Sequence, residues 1–474
     1  MKTATRLSPA LPPDSLGFAL ARAAEVIAAV ISGHPTPQEG FPRGAGTPVG
    51  RSLDAALAAC WQSHAHVLSA SQRGAVQDLA YGTLRQYGRG DFILARLLHS
   101  PLPEGDGKPG IQQLRALLLA ALYRLEARPA DAHTTVDQAV NAAAVIAQGR
   151  FKALANAVLR SRLRREAELL AAANADEVAF HQHPRWWIEA IRAAYPGHWQ
   201  SILAADNMHP PMTLRVNRRR LDAAAYLGLL GAAGIGARLL AEREYAILLE
   251  RPQAVDKLPG FSDGLVSVQD WGAQRAAPLL DAQAGMRVLD ACAAPGGKSM
   301  HLLELADVDL LALDVEPARI ARINANLERL GLCAQVMAAD CRALDTWWDG
   351  RAFERILADV PCSASGVARR HPDGKWLRRA TDIAGFARSQ AEIIDALWQV
   401  LAPGGKMLYC TCSLFPQENS MQVASFVVRH ADALRLDMGD GDGWSGAAEQ
   451  KQQWQLVPQE EHDGFYYALL QKRI

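Results

Sequence analysis

Short apolar runs recur along the C-terminal half of the chain, and each run ends in a polar residue. Runs of this length are typical of buried β-strands, and helical patterns at 317–330 and 381–401 lie between some of them. Pro317 suits a first helical turn, and Thr381 is a predicted N-cap. Alternating strands and helices predict an α/β fold with a parallel, doubly wound sheet. The five runs and their final polar residues are 288–289 with Asp290, 310–313 with Asp314, 336–339 with Asp340, 356–358 with Asp359, and 407–411 with Cys412.

These final polar residues are predicted to share one edge of the sheet. The carboxyl ends of parallel strands meet at the same edge, and α/β proteins bind their ligands there. A single aspartate after a strand is more often a cap or turn residue than a ligand contact. Five such residues in register, from Asp290 to Cys412, therefore predict a site.

The first of these strands runs into a glycine turn, in the sequence Met286-Arg-Val-Leu-Asp-Ala-Cys-Ala-Ala-Pro-Gly-Gly-Lys-Ser299. Gly296 and Gly297 allow the backbone to approach a ligand where a Cβ atom would clash. The turn is not a phosphate-binding P-loop, because Cys292 stands where that motif needs its first glycine, and it lacks the spacing of the dinucleotide fingerprint. A nucleoside ligand without a pyrophosphate, such as S-adenosylmethionine, fits better. For the loop taken alone, an ordinary strand-to-helix turn is the alternative.

The N-terminal part of the chain has helical periodicity. Residues 15–32 form an alanine-rich helical pattern, and residues 33–50 contain nine Gly and Pro residues, which predict a linker or insert. Residues 51–169 show apolar stripes at helical spacing and no convincing strand, so we predict an all-α bundle. A helical segment at 183–207, a strand within 210–220 and a small α+β subdomain ending near residue 269 are expected to follow.

Two basic segments are candidate contacts for RNA. The first is a predicted helix over residues 149–165 that is dense in arginine and lysine, and the second is a run at residues 215–220. Such clusters can follow a phosphate backbone, while a solvated surface without a partner is the alternative. The residues that we select as candidate RNA contacts are Arg150, Lys152, Arg160, Arg215 and Arg218.

Composition and charge add a few limits. The chain has 474 residues, with 50 Lys+Arg against 50 Asp+Glu, so affinity for nucleic acid must come from local patches. No apolar stretch approaches the ~18 residues of a membrane span. Residues 1–13 lack the apolar core of an export signal. We therefore predict a cytoplasmic protein that makes no membrane contact. Separately, we expect a monomer.

Two cysteines fall at the predicted site, Cys362 after the fourth strand and Cys412 after the fifth. Methyl transfer to oxygen or nitrogen needs no thiol, but carbon 5 of a pyrimidine is a poor nucleophile until it is activated. A thiolate that adds to carbon 6 turns the ring into an enamine, which can then accept a methyl group at carbon 5. Asp359 could meet N3 and the exocyclic amine, which favours cytosine over uracil. The residue types do not decide which cysteine is the nucleophile.

The other cysteines fit simpler interpretations. Free cysteines are often small buried residues, and we assign Cys333, Cys341 and Cys410 to this class. Zinc held by Cys362, Cys410 and Cys412 is the alternative, but no paired Cys-x-x-Cys spacing supports it. We therefore predict no metal, and the seven cysteines show no spacing typical of a disulfide framework.

Four motifs resemble those of the bacterial small-subunit ribosomal RNA 5-methylcytosine methyltransferases called RsmB or Sun, which are relatives of the eukaryotic NOL/NSUN enzymes. The resemblance extends from about Ala56 to the end of the chain, and residues 114–165 resemble a NusB-type RNA-binding domain. The motifs are Asp290-Ala-Cys-Ala-Ala-Pro-Gly-Gly-Lys298, Asp359-Val-Pro-Cys-Ser363, Arg369-Arg-His-Pro-Asp-Gly-Lys-Trp376 and Thr411-Cys-Ser-Leu-Phe-Pro-Gln-Glu-Asn419.

The resemblance implies a role for each residue of these motifs that we select. Cys412 would be the nucleophile and Cys362 would assist product release, with Asp359 and Lys298 also catalytic. Asp314 would bind the ribose of S-adenosyl-L-methionine, and Asp340 would lie beside its adenine. The other predicted cofactor contacts are Cys292, Ala293, Ala294, Pro295, Gly296, Gly297, Lys298 and Asp359, and the third motif adds Arg369, Arg370 and His371 as RNA contacts.

The predicted function is methylation of a cytosine in small-subunit ribosomal RNA. The expected domains are an N-terminal helix and insert at 1–50, a NusB-like domain at 51–170, an α+β subdomain at 176–270 and a Rossmann-like methyltransferase domain at 271–474. The same chemistry on transfer RNA is one alternative. A non-catalytic RNA-binding assembly factor is another, because a NusB-like bundle alone only binds RNA.

Overall fold

A computed structural model describes residues 11–32, 51–102, 110–240, 245–438 and 454–474. The predicted insert at 33–50 lies outside these ranges. The described chain forms two compact units: unit 1 comprises 1–207 and 371–379, and unit 2 comprises 208–370 and 380–474. Among the described helices, none is long and apolar enough to cross a membrane. The domain boundaries drawn from the sequence stay predictions.

Unit 1 is helical throughout its described residues. The alanine-rich helix α1 packs against helices α3, α5 and α6. Ser15 is the N-cap of α1, and its hydroxyl oxygen accepts a hydrogen bond from the backbone N–H of Phe18. A Cβ atom at Gly82 would lie 2.0 Å from the Tyr123 ring, so glycine is required where α3 meets α5. The helices are α1 Leu16–Ile31, α2 Leu53–Ser63, α3 Ala70–Arg85, α4 Tyr87–Leu97, α5 Ile111–Ala127, α6 Ala132–Val145, α7 Lys152–Arg164, α8 Glu166–Ala175, α9 Glu177–His181, α10 Arg185–Ala194 and α11 Trp199–Ala205.

Residues 371–379 belong to unit 1, although the residues before and after them in the sequence belong to unit 2. Residues 374–377 form a short helix. The Trp376 indole donates to the Leu84 carbonyl at 2.9 Å, and its ring meets Tyr87 edge-on at 5.0 Å. The buried Lys375 ammonium donates to the Asn207 amide oxygen at 2.8 Å. The motif 369–376 is thus divided: it starts in unit 2 and ends in the helical core of unit 1.

Unit 2 begins with a small antiparallel sheet in the order β2-β3-β1-β4, packed with one helix. The strand predicted within 210–220 is β1, and the helical segment predicted at 183–207 consists of α10 and α11, which belong to unit 1. The elements of this sheet are β1 Thr213–Val216, α12 Ala223–Ala232, β2 Ala237–Leu239, β3 Ala246–Leu249 and β4 Val266–Val268.

The larger sheet of unit 2 has the order β10-β12-β9-β8-β5-β6-β7, with β11 paired to β12. All five predicted strands are present, as β5 to β9. The elements are α13 Trp271–Gln274, α14 Ala276–Leu280, β5 Arg287–Asp290, α15 Gly297–Leu305, β6 Asp309–Asp314, α16 Pro317–Leu330, β7 Gln335–Ala338, β8 Phe353–Asp359, α17 Gly374–Leu377 (in unit 1), α18 Ala380–Val400, β9 Leu401–Thr411, α19 Ser420–Arg429, β10 Ala433–Arg435, β11 Trp454–Leu456 and β12 Phe465–Lys472.

Two sequence predictions need correction in this sheet. The five predicted strands are mutually parallel, but β12 pairs antiparallel with β9, β10 and β11, so the sheet as a whole is mixed. Thr381 is not an N-cap, because α18 already begins at Ala380 and Thr381 lies in its first turn. The fold class is otherwise confirmed as α/β and Rossmann-like, preceded by an all-α domain and a small α+β subdomain.

Candidate active site

The glycine turn connects β5 to α15 and is fastened to the neighbouring strand. Gly296 has a φ of +99°, in the left-handed region where a side chain would be strained, and α15 begins at the next residue. The Ala294 N–H donates to an Asp314 carboxylate oxygen at 3.1 Å, which joins the turn to the end of β6. The first N–H groups of α15 have no partners within the helix, so the turn offers donors to a ligand.

Asp314 and Asp340 differ in how free their carboxylates are to bind a cofactor. Each oxygen of the buried Asp314 accepts one backbone N–H, from Ala294 and from Glu316, and the Arg319 guanidinium lies 3.5 Å from one of them. A carboxylate oxygen has two lone pairs, so Asp314 can still accept from a ribose diol. Asp340 is instead gripped by the Arg342 guanidinium, whose hydrogen bonds hold the pKa of Asp340 below its usual range. The residues at the turn and Asp314 fit a nucleoside ligand, whereas both oxygens of Asp340 accept hydrogen bonds from the Arg342 guanidinium.

Asp290 supports the turn from beneath. It is fully buried, and the Ser299 hydroxyl donates to its carboxylate at 2.5 Å. Burial raises the pKa of Asp290 to about 7, against the opposing effect of the Ser299 hydrogen bond. The hydrogen bond from Ser299 to the buried Asp290 thus holds the first turn of α15 against the end of β5 and stabilises the glycine turn.

Lys298 and Asp359 form an ion pair at the ends of α15 and β8. The ammonium lies 2.5 Å from one carboxylate oxygen, and the Cys410 thiol donates to the other at 3.4 Å. Burial alone would lower the pKa of Lys298, but the Asp359 charge holds it above its usual range. Lys298 is therefore a fixed positive charge that orients Asp359.

Cys362 and Cys412 face each other, with their sulfur atoms 3.4 Å apart. Both side chains are partly exposed, and all seven cysteines are free thiols. The hydrogen bond to Cys412 and then burial hold the pKa of the Cys362 thiol well above its usual range. Either sulfur can be the donor in this contact, and the two thiols lie close enough to exchange a proton.

The other cysteines only partly match their predicted class. Cys341 and Cys410 are buried, but Cys333 is exposed, so its assignment as a core residue is wrong. Within the described residues, one group brings three possible metal ligands within 4.8 Å of one another: Glu25, Cys60 and His64 in unit 1. Arg22 lies 2.6 Å from the His64 ring and 2.9 Å from the Glu25 carboxylate, so a guanidinium already occupies that group.

The structure contradicts two of the predicted RNA contacts. Arg215 is buried, and its guanidinium forms a two-pronged ion pair with Glu304 at 2.9 and 2.7 Å while also donating to the Gly297 carbonyl at 2.8 Å. Arg369 is also buried and lies 2.5 Å from the Asp463 carboxylate. Neither side chain can meet a ligand without breaking a buried ion pair.

The remaining predicted RNA contacts fall into two groups. Arg370 is half-buried, and its guanidinium is already ion-paired with Asp270 and Asp463 inside unit 2. The side chains that are exposed, and whose RNA contacts stay predictions, are Arg150, Lys152, Arg160, Arg218 and His371.

Comparison with known proteins gives matches over nearly the whole chain. Residues 277–471 match the family described as 16S rRNA methyltransferase RsmB/F, residues 183–256 match the ferredoxin-like domain of RsmF/B-like methyltransferases, and residues 42–164 match the NusB family. The protein named ribosomal RNA small subunit methyltransferase B of Pseudomonas putida is 46% identical over 403 residues, 84% of this chain and 90% of that one. Its namesake in Vibrio cholerae is 43% identical over 427 residues, 90% of this chain and 94% of that one.

Two solved structures share the fold at low sequence identity. The protein PH0851 superposes with a TM-score of 0.75 at 21% identity, covering 98% of this chain and 100% of that one. NSun6 from Pyrococcus horikoshii, solved with SFG, gives a TM-score of 0.55 at 19% identity, covering 61% of this chain and 98% of that one.

Proposed function

The chain belongs to the RsmB/F family of 16S rRNA methyltransferases, and we propose that it transfers a methyl group from S-adenosyl-L-methionine to carbon 5 of a cytosine in small-subunit ribosomal RNA. The observation that carries this proposal is the thiol pair Cys362 and Cys412, 3.4 Å apart at the carboxyl ends of β8 and β9. Methylation of a nitrogen or oxygen atom would need neither thiol. A purely RNA-binding role would leave the pair without a purpose.

In this proposal Cys412 starts the reaction and Cys362 serves its end. The Cys412 thiolate adds to carbon 6, and the electrons of the 5,6 double bond make carbon 5 nucleophilic. After carbon 5 has gained its methyl group, a base removes the carbon 5 proton, the double bond reforms, and the sulfur–carbon bond breaks. Cys362 assists this last step, since its thiol lies against the departing sulfur.

Asp359 binds the base, and Lys298 orients Asp359. One oxygen of Asp359 is held by the Lys298 ammonium and the other by the Cys410 thiol, so the carboxylate is fixed in place. A fixed carboxylate can accept a hydrogen bond from the exocyclic amine of cytosine, a donor that uracil lacks. This preference supports cytosine as the substrate.

The cofactor is proposed to occupy the glycine turn. S-adenosyl-L-methionine supplies an electrophilic methyl group when it is bound. The proposed contacts are the turn from Cys292 to Lys298, Asp314 and Asp359, with Asp340 nearby but already paired to Arg342. We also propose that the exposed basic face of α7 contacts the RNA backbone, and that the protein is a cytoplasmic monomer.

The two cysteines can be separated by the way their variants fail. Cys412→Ala should abolish methyl transfer and form no protein–RNA adduct, because the addition step is lost. Cys362→Ala should methylate once and then stall, leaving methylated RNA bound to the protein as a slow band on a denaturing gel. Protease digestion should release that RNA.

Two other outcomes would change the proposal. If the adduct forms with Cys412→Ala and disappears with Cys362→Ala, the two roles are reversed. If both variants keep full activity, covalent catalysis is wrong and the site methylates another atom. Bisulfite sequencing of ribosomal and transfer RNA from a deletion strain identifies the substrate, since the missing methyl group marks the RNA that this protein modifies.

A further inference from the structure

A buried carboxylate lies beneath the thiol pair and was not among the predicted site residues. Glu418 is fully buried in the short turn that follows β9. One of its oxygens accepts the backbone N–H of Ser363 at 2.8 Å and the side-chain amide of Gln390 at 3.1 Å. The other accepts the hydroxyls of Ser363 at 2.5 Å and of Ser413 at 2.6 Å.

The partners of this carboxylate are the residues that directly follow the two cysteines. Ser363 comes after Cys362, and Ser413 comes after Cys412. The two serine hydroxyls are themselves 3.1 Å apart, so a single carboxylate joins the loop after β8 to the loop after β9. Ser365 adds to this connection between the two loops, because its hydroxyl lies 3.2 Å from that of Ser413 and accepts a hydrogen bond from the Leu414 N–H at 2.7 Å.

We infer that Glu418 is a positioning residue that holds the Cys362 and Cys412 sulfur atoms in reacting register. The inference rests on the proposed covalent function for its purpose but not for its geometry. Reacting groups lose rate steeply when they are misplaced, by about 10²-fold for ~1 Å. A carboxylate fits this place because it accepts from one backbone N–H and two hydroxyls at once, without offering a proton of its own.

Three substitutions separate shape from charge at this position. Glu418→Gln keeps the length: its amide oxygen can accept the Ser363 N–H, and its NH₂ group can donate to the two hydroxyls, which rotate to accept. Glu418→Asp keeps the charge but is one methylene too short to reach both loops. Glu418→Ala removes the carboxylate and with it all the hydrogen bonds that connect the two loops through this side chain. Gln422→Ala is the matched control, since Gln422 is buried on the next helix and bonds to the Ala387 carbonyl instead.

The first measurement reports the register of the two thiols without any methyl transfer. Diamide oxidises a close thiol pair to a disulfide and is reduced to the hydrazine, taking up the two thiol protons. In the full chain, the Cys362–Cys412 disulfide, counted by peptide mass spectrometry, should form about 10²-fold more slowly with Glu418→Ala and Glu418→Asp. Compared at equal thiolate fraction, Glu418→Gln and the control should stay close to the unchanged protein. Equal oxidation rates in all variants would overturn the inference.

The second measurement tests the charge. The Glu418 charge is one of the causes, after the Cys412 hydrogen bond, burial and the Cys412 charge, that raise the pKa of Cys362. Glu418→Gln should therefore move the pH profile of Cys362 alkylation by iodoacetamide to lower pH. At a fixed thiolate fraction, the rate of disulfide formation in this variant should equal that of the unchanged protein. A defect that was only structural would not produce this combination, and an unmoved profile would contradict it.

The third measurement links register to turnover. Methyl transfer to a small-subunit ribosomal RNA fragment should fall with Glu418→Ala and Glu418→Asp and recover with Glu418→Gln, with the melting temperature followed in parallel. If the unchanged protein transfers no methyl group, the proposed function fails, while the oxidation series still tests the role of Glu418. If oxidation slows but turnover does not, Glu418 sets the geometry of the thiols without serving the reaction, and the inference is overturned.

Discussion

Two basic segments that look alike in the sequence differ in burial and in the contacts that they make. On α7 and just before it, Arg150, Lys152 and Arg160 are exposed. In the run 215–220, Arg215 is buried in an ion pair with Glu304. Charge density alone therefore does not identify an RNA surface.

Helix ends explain what the second segment does. Arg219 donates to the Glu304 carbonyl at 3.1 Å and Arg220 to the Leu330 carbonyl at 2.9 Å, close to the C-termini of α15 and α16. The last carbonyls of a helix have no partners within it and carry partial negative charge. The arginines of this run thus fasten the small antiparallel sheet to two helices of the larger one, and only Arg218 remains as a candidate RNA contact in the segment.

The largest effect is expected from breaking the buried pair. Arg215→Ala leaves Glu304 buried without its partner, which should reduce the free energy of unfolding by about 3–5 kcal/mol. Urea denaturation measures the loss, and Arg218→Ala in the same run is the control, with an expected change within ~0.5 kcal/mol. Equal changes in the two variants would show that the run acts as one solvated surface.

A weaker affinity for RNA at unchanged stability is expected from α7. Replacing Arg150, Lys152 and Arg160 by glutamine should leave the unfolding free energy within ~0.5 kcal/mol, because exposed charges contribute little. It should also lower the salt dependence of RNA binding, by about 0.7–0.9 in log–log slope for each phosphate that is no longer neutralised. Filter binding at several salt concentrations measures the slope, with exposed Arg128→Gln at the end of α5 as control. An unchanged slope would remove α7 from the interface.

The smallest effect is expected from Arg218 alone. Arg218→Gln should change the slope by about 0.7–0.9 if this side chain meets one phosphate, with no measurable change in stability. A slope equal to that of the unchanged protein would confine RNA contact to other surfaces and complete the contrast between the two segments.

Local patterns predicted the strands and the edge of the sheet that holds the candidate site residues. Asp314, Asp359 and Cys412 were found because apolar runs mark buried strands, and parallel strands end together. The burial of Arg215 could not be predicted, since its partner Glu304 lies 89 positions away and nothing local in the sequence marks the pair. Glu418 was missed for the same reason: its partners on the loop after β8 are 55 residues distant.

The antiparallel strand β12 shows another limit. Its run Phe465–Lys472 is apolar enough for a buried strand, but periodicity does not say which neighbour a strand joins or in which direction. Likewise, the charged residues and the tryptophan within 371–379 do not reveal from sequence alone that this stretch packs in the helical unit.

That stretch has a consequence for the order in which the protein is made. The Trp376 indole bonds to the Leu84 carbonyl across 292 positions of sequence, and contacts this distant are closed late. Synthesis runs from the N-terminus, so the helices up to α11 leave the ribosome before the residues that finish their core exist. The contacts that Trp376 makes in the helical unit can therefore form only after β1 to β8 have been translated. The helical core is thus completed only after the first four parallel strands of the larger sheet have been made.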